Sequence, residues 1–297
     1  MKKIKIIIDT DIGGDIDDTW ALVYALHREI FDVKAICVTG RDLAYKAKLV
    51  AKTLMRFNRA DIPIIIGMGF PDTETPLANW VSDFPLSDFS GKIYSDTREG
   101  FSRLFEDNPD AVLVGLAPNM TLAHIHDLIA SKKIKTVAMA GSIFKGYFDS
   151  PTPCPECNVV TDMGASKIVY SSNIDYVLLP LDVCGNLILD GENYRQVKGS
   201  SAVAARTVME NYLLWDRDYF GGAKKYDVTA SSTVLYDLIA FWYLEFPDLI
   251  RTKKMKIALD QNGVTYPSKD GMEMEVGLEI KNLPFLYGEL TKTLVKE

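Results

Sequence analysis

Short apolar runs that alternate with helical patterns set the tightest limit on how this chain can fold. "KIKIIID" leads into "DTWALVYALHREI", and "VKAICVTG" leads into "LAYKAKLVAKTLMRF". "IPIIIG" comes next, then "AVLVGLA" before "MTLAHIHDLIAS", then "KTVAMAG" and "IDYVLLPLDV". Strands that are apolar throughout, rather than on alternate residues, are buried on both faces; with helices between them they predict an open, mostly parallel sheet of α/β class. The C-terminal stretch "MKIALDQNGVTYPSKDGMEMEVGLEI" departs from this pattern and predicts a small antiparallel hairpin, with Asn262-Gly263 and Asp270-Gly271 as turn residues. The segment "FPDTETPLANWVSDFPLSDFSG" reads as a long loop, and a helix, "LPFLYGELTKTLVKE", follows the hairpin. No internal repeat interrupts this order, and residues 1–297 are expected to form a single domain.

Composition narrows the function classes. A formal net charge of −7 gives no basic footprint for nucleic acid. No run approaches the ~18–20 consecutive apolar residues of a membrane span. Four cysteines in 297 residues do not make a disulfide framework, so a reducing cytoplasm is the expected setting.

The chemistry concentrates behind the first strand. "IIIDTDIGGDIDD" places Asp9, Asp11, Asp15, Asp17 and Asp18 within ten positions around Gly13-Gly14. Helix capping accounts for one or two of these carboxylates but not for five. Hard oxygen donors on a glycine turn suit Ca²⁺ or Mg²⁺. In parallel sheets ligands bind beyond the carboxyl ends of the strands, which is where this cluster falls. A strand ending in Asp-x-Asp also opens the haloacid-dehalogenase-type phosphatases, with Asp9 as the phosphoryl nucleophile. Gly13 departs from that pattern, and Asp17-Asp18 have no role in it.

The whole stretch resembles the calcium-dependent nucleoside hydrolases, whose signature is Asp-x-Asp-Pro-Gly-x-Asp-Asp-Ala-x-Ala. Two residues are inserted here, Ile12 stands for the proline and Thr19 for the first alanine. Three further segments follow in the family's order. "LVGLAPNMTLAHI" offers the Leu116 carbonyl, "PECNVVTDMGASKIVY" carries Glu156, Asn158 and Asp162, and "LYDLIAFWYLEFPDL" carries Asp237. The resemblance implies hydrolysis of an N-ribosyl bond in a nucleoside and a Ca²⁺ cofactor. It also implies a homodimer or homotetramer with no nucleic-acid or membrane partner. By the same resemblance Asp11 is general base and metal ligand, and Asp18, Asp237 and the Leu116 carbonyl complete the metal shell. Asp17, Glu156 and Asn158 grip ribose hydroxyls; Asp9 supports the cluster, and Asp15, part of the insertion, has no assigned role.

Departures from the family pattern are informative. The asparagine expected after the second strand is Arg41, which could pair with an anionic substrate; a second expected asparagine falls at Ser150. The histidine expected before the last aspartate is Tyr236. None of His27, His124 and His126 lies in a segment suited to a leaving-group acid. Protonation of the departing base then falls to Tyr236, to water, or is not needed. "NYLLWDRDYFGGAKKYD" supplies Trp215, Tyr219, Phe220 and Tyr226 for stacking, or else for core packing. Two alternatives stay open: a relative acting on another N-ribosyl compound, an anionic one included, and a metal-dependent ribose-binding protein without turnover. "CPEC" at 154–157 lacks the partners of a zinc site and reads as a pair of reduced thiols beside the sugar site.

Overall fold

The computed structural model describes residues 2–71, 74–219 and 226–297. Its first strand, β1 (Ile4–Thr10), shows why the apolar runs are continuous. Ile6 and Ile8 enter one hydrophobic cluster and Ile7 enters the other, one on each face of the sheet. β2 (Phe31–Arg41) repeats the division, with Ile36 and Val38 on one side and Ala35 and Cys37 on the other. Period-two alternation sends successive side chains to opposite faces, so both faces need cover.

Parallel pairing runs from β1 to β2, on to β3 (Ile64–Phe70) and β4 (Ile93–Tyr94). On the other side of β1 the chain adds β5 (Val112–Gly115), β6 (Thr136–Met139) and β7 (Tyr176–Leu179), again parallel. The direction of travel across the sheet therefore reverses between β1 and β5. At such a switch point the connections leave in opposite directions and open a crevice at the strand ends.

A two-stranded antiparallel sheet of β8 (Ile188–Asp190) and β9 (Ser231–Val234), which has no counterpart in the sequence reading, precedes the Asp237 helix. β10 (Ile250–Leu259), β11 (Thr265–Pro267) and β12 (Met272–Ile280) contain the expected antiparallel pairing, but they do not stand apart. β12 joins β7 in parallel, and β10 then β11 add antiparallel strands at the edge, giving one ten-stranded sheet. The stretch after β3 contains two 3₁₀ turns, Ala78–Trp80 and Leu86–Asp88, that bury Leu77 and Trp80. "MTLAHIHDLIAS" forms two helices, Met120–His124 and His126–Lys132, meeting at Ile125.

The helix Asp17–His27 is enclosed: residues 17 to 25 are all buried. Its two acidic residues face the positive end of the helix dipole, which favours carboxylates there. At its far end Arg28 ties it to two other helices. The guanidinium meets Glu245, at the end of helix Leu238–Glu245, at 2.5 Å, and Glu289, on helix Leu283–Leu294, at 2.7 Å.

Candidate active site

The turn between β1 and the first helix is held from outside along its length. Lys46, on helix Leu43–Arg56, donates its Nζ to the carbonyls of Asp11 and Ile12, the latter at 3.0 Å. Tyr45 Oη donates to the Gly13 carbonyl at 3.3 Å, and Trp215 Nε1 donates to that of Gly14 at 2.9 Å. Four successive carbonyls thus receive side-chain donors, which fixes the inserted residues without regular structure. Gly13 has φ +91°, and a Cβ there would lie 2.3 Å from Leu49 Cδ1, so only glycine fits. Lys46 is buried, which pushes its pKa down; the charges of Asp11 and Asp18 push it back up.

Beyond this turn the carboxylates converge. Asp17, Asp18 and Asp237 are all buried, and each offers a ligand oxygen within 4.8 Å of the others. Thr10 Oγ1 donates to Asp18 Oδ1. Burial raises the pKa of all three well above the ordinary carboxylate value, and repulsion from neighbouring carboxylates, Asp11 among them in each case, raises it further. Asp11 is also raised by burial, with Lys46 opposing, and its charge bears on Asp17, Asp18 and Asp237. The compact trio therefore contains Asp17, whereas the ligand set implied by the resemblance contains Asp11. Asp9 lies deeper and does not line the cavity; Thr39 Oγ1 donates to its Oδ1 at 2.5 Å, while Oδ2 has no partner among the described residues. Burial pushes Asp9 up to about 7. Buried anions this close need a cation, and an all-oxygen donor set fits a hard divalent ion.

The carboxylates open into a cavity of about 520 Å³. Leu116, Glu156 and Asn158 also line it. Glu156 caps the turn Cys157–Val160, accepting from the backbone N–H groups of Gly141 and Asn158 at 2.8 Å each and of Val159 at 3.3 Å. Burial pushes its carboxyl up to about 7 despite these donors. Asn158 donates its side-chain amide to the carbonyls of Leu116 at 2.8 Å and Met139 at 3.0 Å. Asp162 accepts from Ala165 N at 2.9 Å as the cap of the next helix. Of the two cysteines of "CPEC", Cys157 lines the cavity, and all four cysteines are free thiols.

Aromatic residues line the cavity as well. Tyr236 meets Tyr147 edge-on, ring centres 5.8 Å apart, and Tyr219 and Tyr226 also line the space. Trp215 does not: it is buried behind the turn, stacked on Tyr219 at 5.6 Å with its nitrogen on Gly14. Phe220 lies outside the described residues. Arg41 stands at the rim, ion-paired with Glu74 at 2.9 Å. Asp15 lines the cavity from the insertion, its Oδ1 accepting from Ile16 N at 2.8 Å. None of the three histidines borders it. Lys46 and Tyr147 escape sequence reasoning: one lies in a segment of solvent-facing helix character, the other in a loop without a pattern.

These residues follow β1, β5, β6 and β9, and their order along the chain is that of a known family. A family model described as "Inosine-uridine preferring nucleoside hydrolase" matches residues 6–281. The chain belongs to this family. Similar proteins include "Probable uridine nucleosidase 2" of Oryza sativa subsp. japonica, 24% identical, with 93% of this chain and 83% of that protein covered. Another is the "Pyrimidine-specific ribonucleoside hydrolase RihA" of Escherichia coli O81 (strain ED1a), 24% identical over 88% of this chain and 85% of that one. A solved "Purine-Preferring Ribonucleoside Hydrolase from Gardnerella vaginalis" shares the fold at TM-score 0.79 and 18% identity, covering 98% of each chain. The protein is thus a nucleoside hydrolase, an enzyme of N-glycosidic bond cleavage in ribosides, from a metal-dependent family. That assignment sets the phosphatase alternative aside.

Proposed function

We propose that this nucleoside hydrolase holds Ca²⁺ between Asp18 and Asp237, the two carboxylates common to the compact trio and to the family pattern, with Asp11 and the Leu116 carbonyl completing the shell. The buried, converging carboxylates at the switch point carry this reading, because burying several anions together without a cation is costly. Bound there, the ion would supply an acidified, positioned water. Asp11 takes that water's proton as it adds to the anomeric carbon. Asp17, Glu156 and Asn158 hold the ribose hydroxyls. The surrounding carboxylates favour the positive charge that grows on the sugar as the C–N bond lengthens. Tyr236, in the position where the family carries histidine, borders the leaving group, and Asp9, within β1, supports the cluster through the Thr39 hydroxyl of β2. Four free thiols are in keeping with a reducing cytoplasm, and a homodimer or homotetramer is the assembly the family suggests.

Release of ribose from inosine, uridine and ribosylnicotinamide, measured with Ca²⁺ and with a chelator, tests the reading. Ribose from at least one riboside, lost on chelation, is the expected result; ribose binding without release from any of them would make this a binding protein instead. Asp17→Asn separates the two placements of Asp17. As a sugar grip, its loss raises KM and leaves Ca²⁺ affinity near that of the wild type; as a ligand, its loss removes the ion.

A further inference from the structure

Three observations about the leaving-group side of the cavity point the same way. First, none of His27, His124 and His126 borders it, and the position before Asp237 carries Tyr236, packed edge-on against Tyr147. Second, the insertion that sets this turn apart from the family signature delivers a carboxylate, Asp15, to the cavity, on a backbone fixed by Lys46, Tyr45 and Trp215. Its charge bears on the hydroxyls of Tyr219, Tyr226 and Tyr236. Third, those rings and Tyr147 give this wall an aromatic lining. An aromatic wall with a carboxylate beside it attracts a flat cation, through ring quadrupoles and direct Coulomb attraction. Among the described residues, an anionic substrate suited to Arg41 would instead meet seven lining carboxylates against two cationic side chains, with Arg41 already paired to Glu74.

Resting on the hydrolase reading above, we propose that the site is built for ribosides whose leaving group is already cationic, a quaternary heteroaromatic nitrogen such as a ribosylpyridinium, which Asp15 and the tyrosine wall recognise. The chemistry balances without an acid. As the C1′–N bond breaks, its electron pair returns to the ring nitrogen and cancels the positive charge. Water forms the new C1′–O bond, and its proton passes to Asp11 and then to solvent. The products are a neutral heteroaromatic base, ribose and one proton. A neutral purine or pyrimidine riboside would need a proton delivered to the departing base, and no histidine lines the cavity to deliver it.

The test compares kcat/KM for ribosylnicotinamide, inosine and uridine in the Ca²⁺-loaded enzyme, and repeats it in Asp15→Asn and Asp15→Glu. The cation is expected to lead by about 100-fold or more, the low end of what a general acid contributes. Because its bond is intrinsically weaker, the Asp15 comparison carries the decision. Asp15→Asn is expected to narrow the preference roughly tenfold, as loss of one close charge pair implies, while Asp15→Glu keeps it. Equal or faster turnover of inosine or uridine, or a preference unmoved by Asp15→Asn, would overturn the proposal and leave the reaction class standing. No ribose from any of the three would bring down the reaction class itself, and this proposal with it.

Discussion

Glu156 carries a cost that its position explains. It is 2% exposed and takes three backbone N–H groups, yet burial still lifts its pKa from 4.5 to about 7. Because the folded value lies above the unfolded one, the native state binds the extra proton between those limits. Stability is therefore greatest near or below pH 4.5 from this group and is lost as pH rises through 7, on the order of 3 kcal/mol in all. Glu156→Gln removes that dependence. Melting temperatures of wild type and variant, followed from pH 5 to pH 8, are expected to diverge in the variant's favour as pH rises. A constant difference across that range would show that Glu156 is ionised in the native protein throughout. Lys46 is the converse case: its ammonium is buried, but it satisfies two carbonyls and faces the acidic cluster, so the charge is compensated where it sits.

Among the elements, the Arg28 junction decides whether the helix that Asp237 begins stays in register with the helix that begins at Asp17. Arg28 bridges Glu245 and Glu289, and its guanidinium lies 5.7 Å from the Phe246 ring centre and 5.9 Å from that of Tyr24. Tyr24 adds a hydroxyl to Glu245 at 2.7 Å. Arg28→Met leaves two largely enclosed carboxylates without their cation and is expected to cost about 3 kcal/mol, several degrees in Tm, measurable by calorimetry. A change below about 0.5 kcal/mol would mean the junction behaves as a surface ion pair. This junction was invisible in the sequence, since its partners lie 217 and 261 residues apart. The elements that were legible owe it to burial on both faces: "KIKIIID" and "KTVAMAG" can hardly be anything but inner strands. Asp18, Glu156, Asn158 and Asp237, which line the cavity, could be picked out only through the family resemblance of their segments. Lys46 was not legible, because a lysine in "LAYKAKLVAK" looks solvated until tertiary packing buries it. Trp215 could be read as a stacking platform or as a core aromatic; the structure buries it with its nitrogen on the inserted turn, while Tyr219 and Tyr226 line the cavity.

For the molecule as a whole, the reversal of chain direction between β1 and β5 is what turns scattered acidic residues into one site. It brings the end of β1, the Leu116 carbonyl after β5 and the segment after β9 to a single crevice, and the parallel sheet supplies a rigid floor for them. The central claim is that this crevice binds one Ca²⁺ through Asp18 and Asp237. Calorimetric titration of Ca²⁺ into metal-stripped wild type and Asp237→Asn measures it directly. One ion per chain is expected in the wild type, with affinity weaker by roughly 100-fold or more in the variant, since even outer-shell changes cost 10–100-fold at metal sites. No saturable binding to the wild type, or equal affinity in the two proteins, would contradict it.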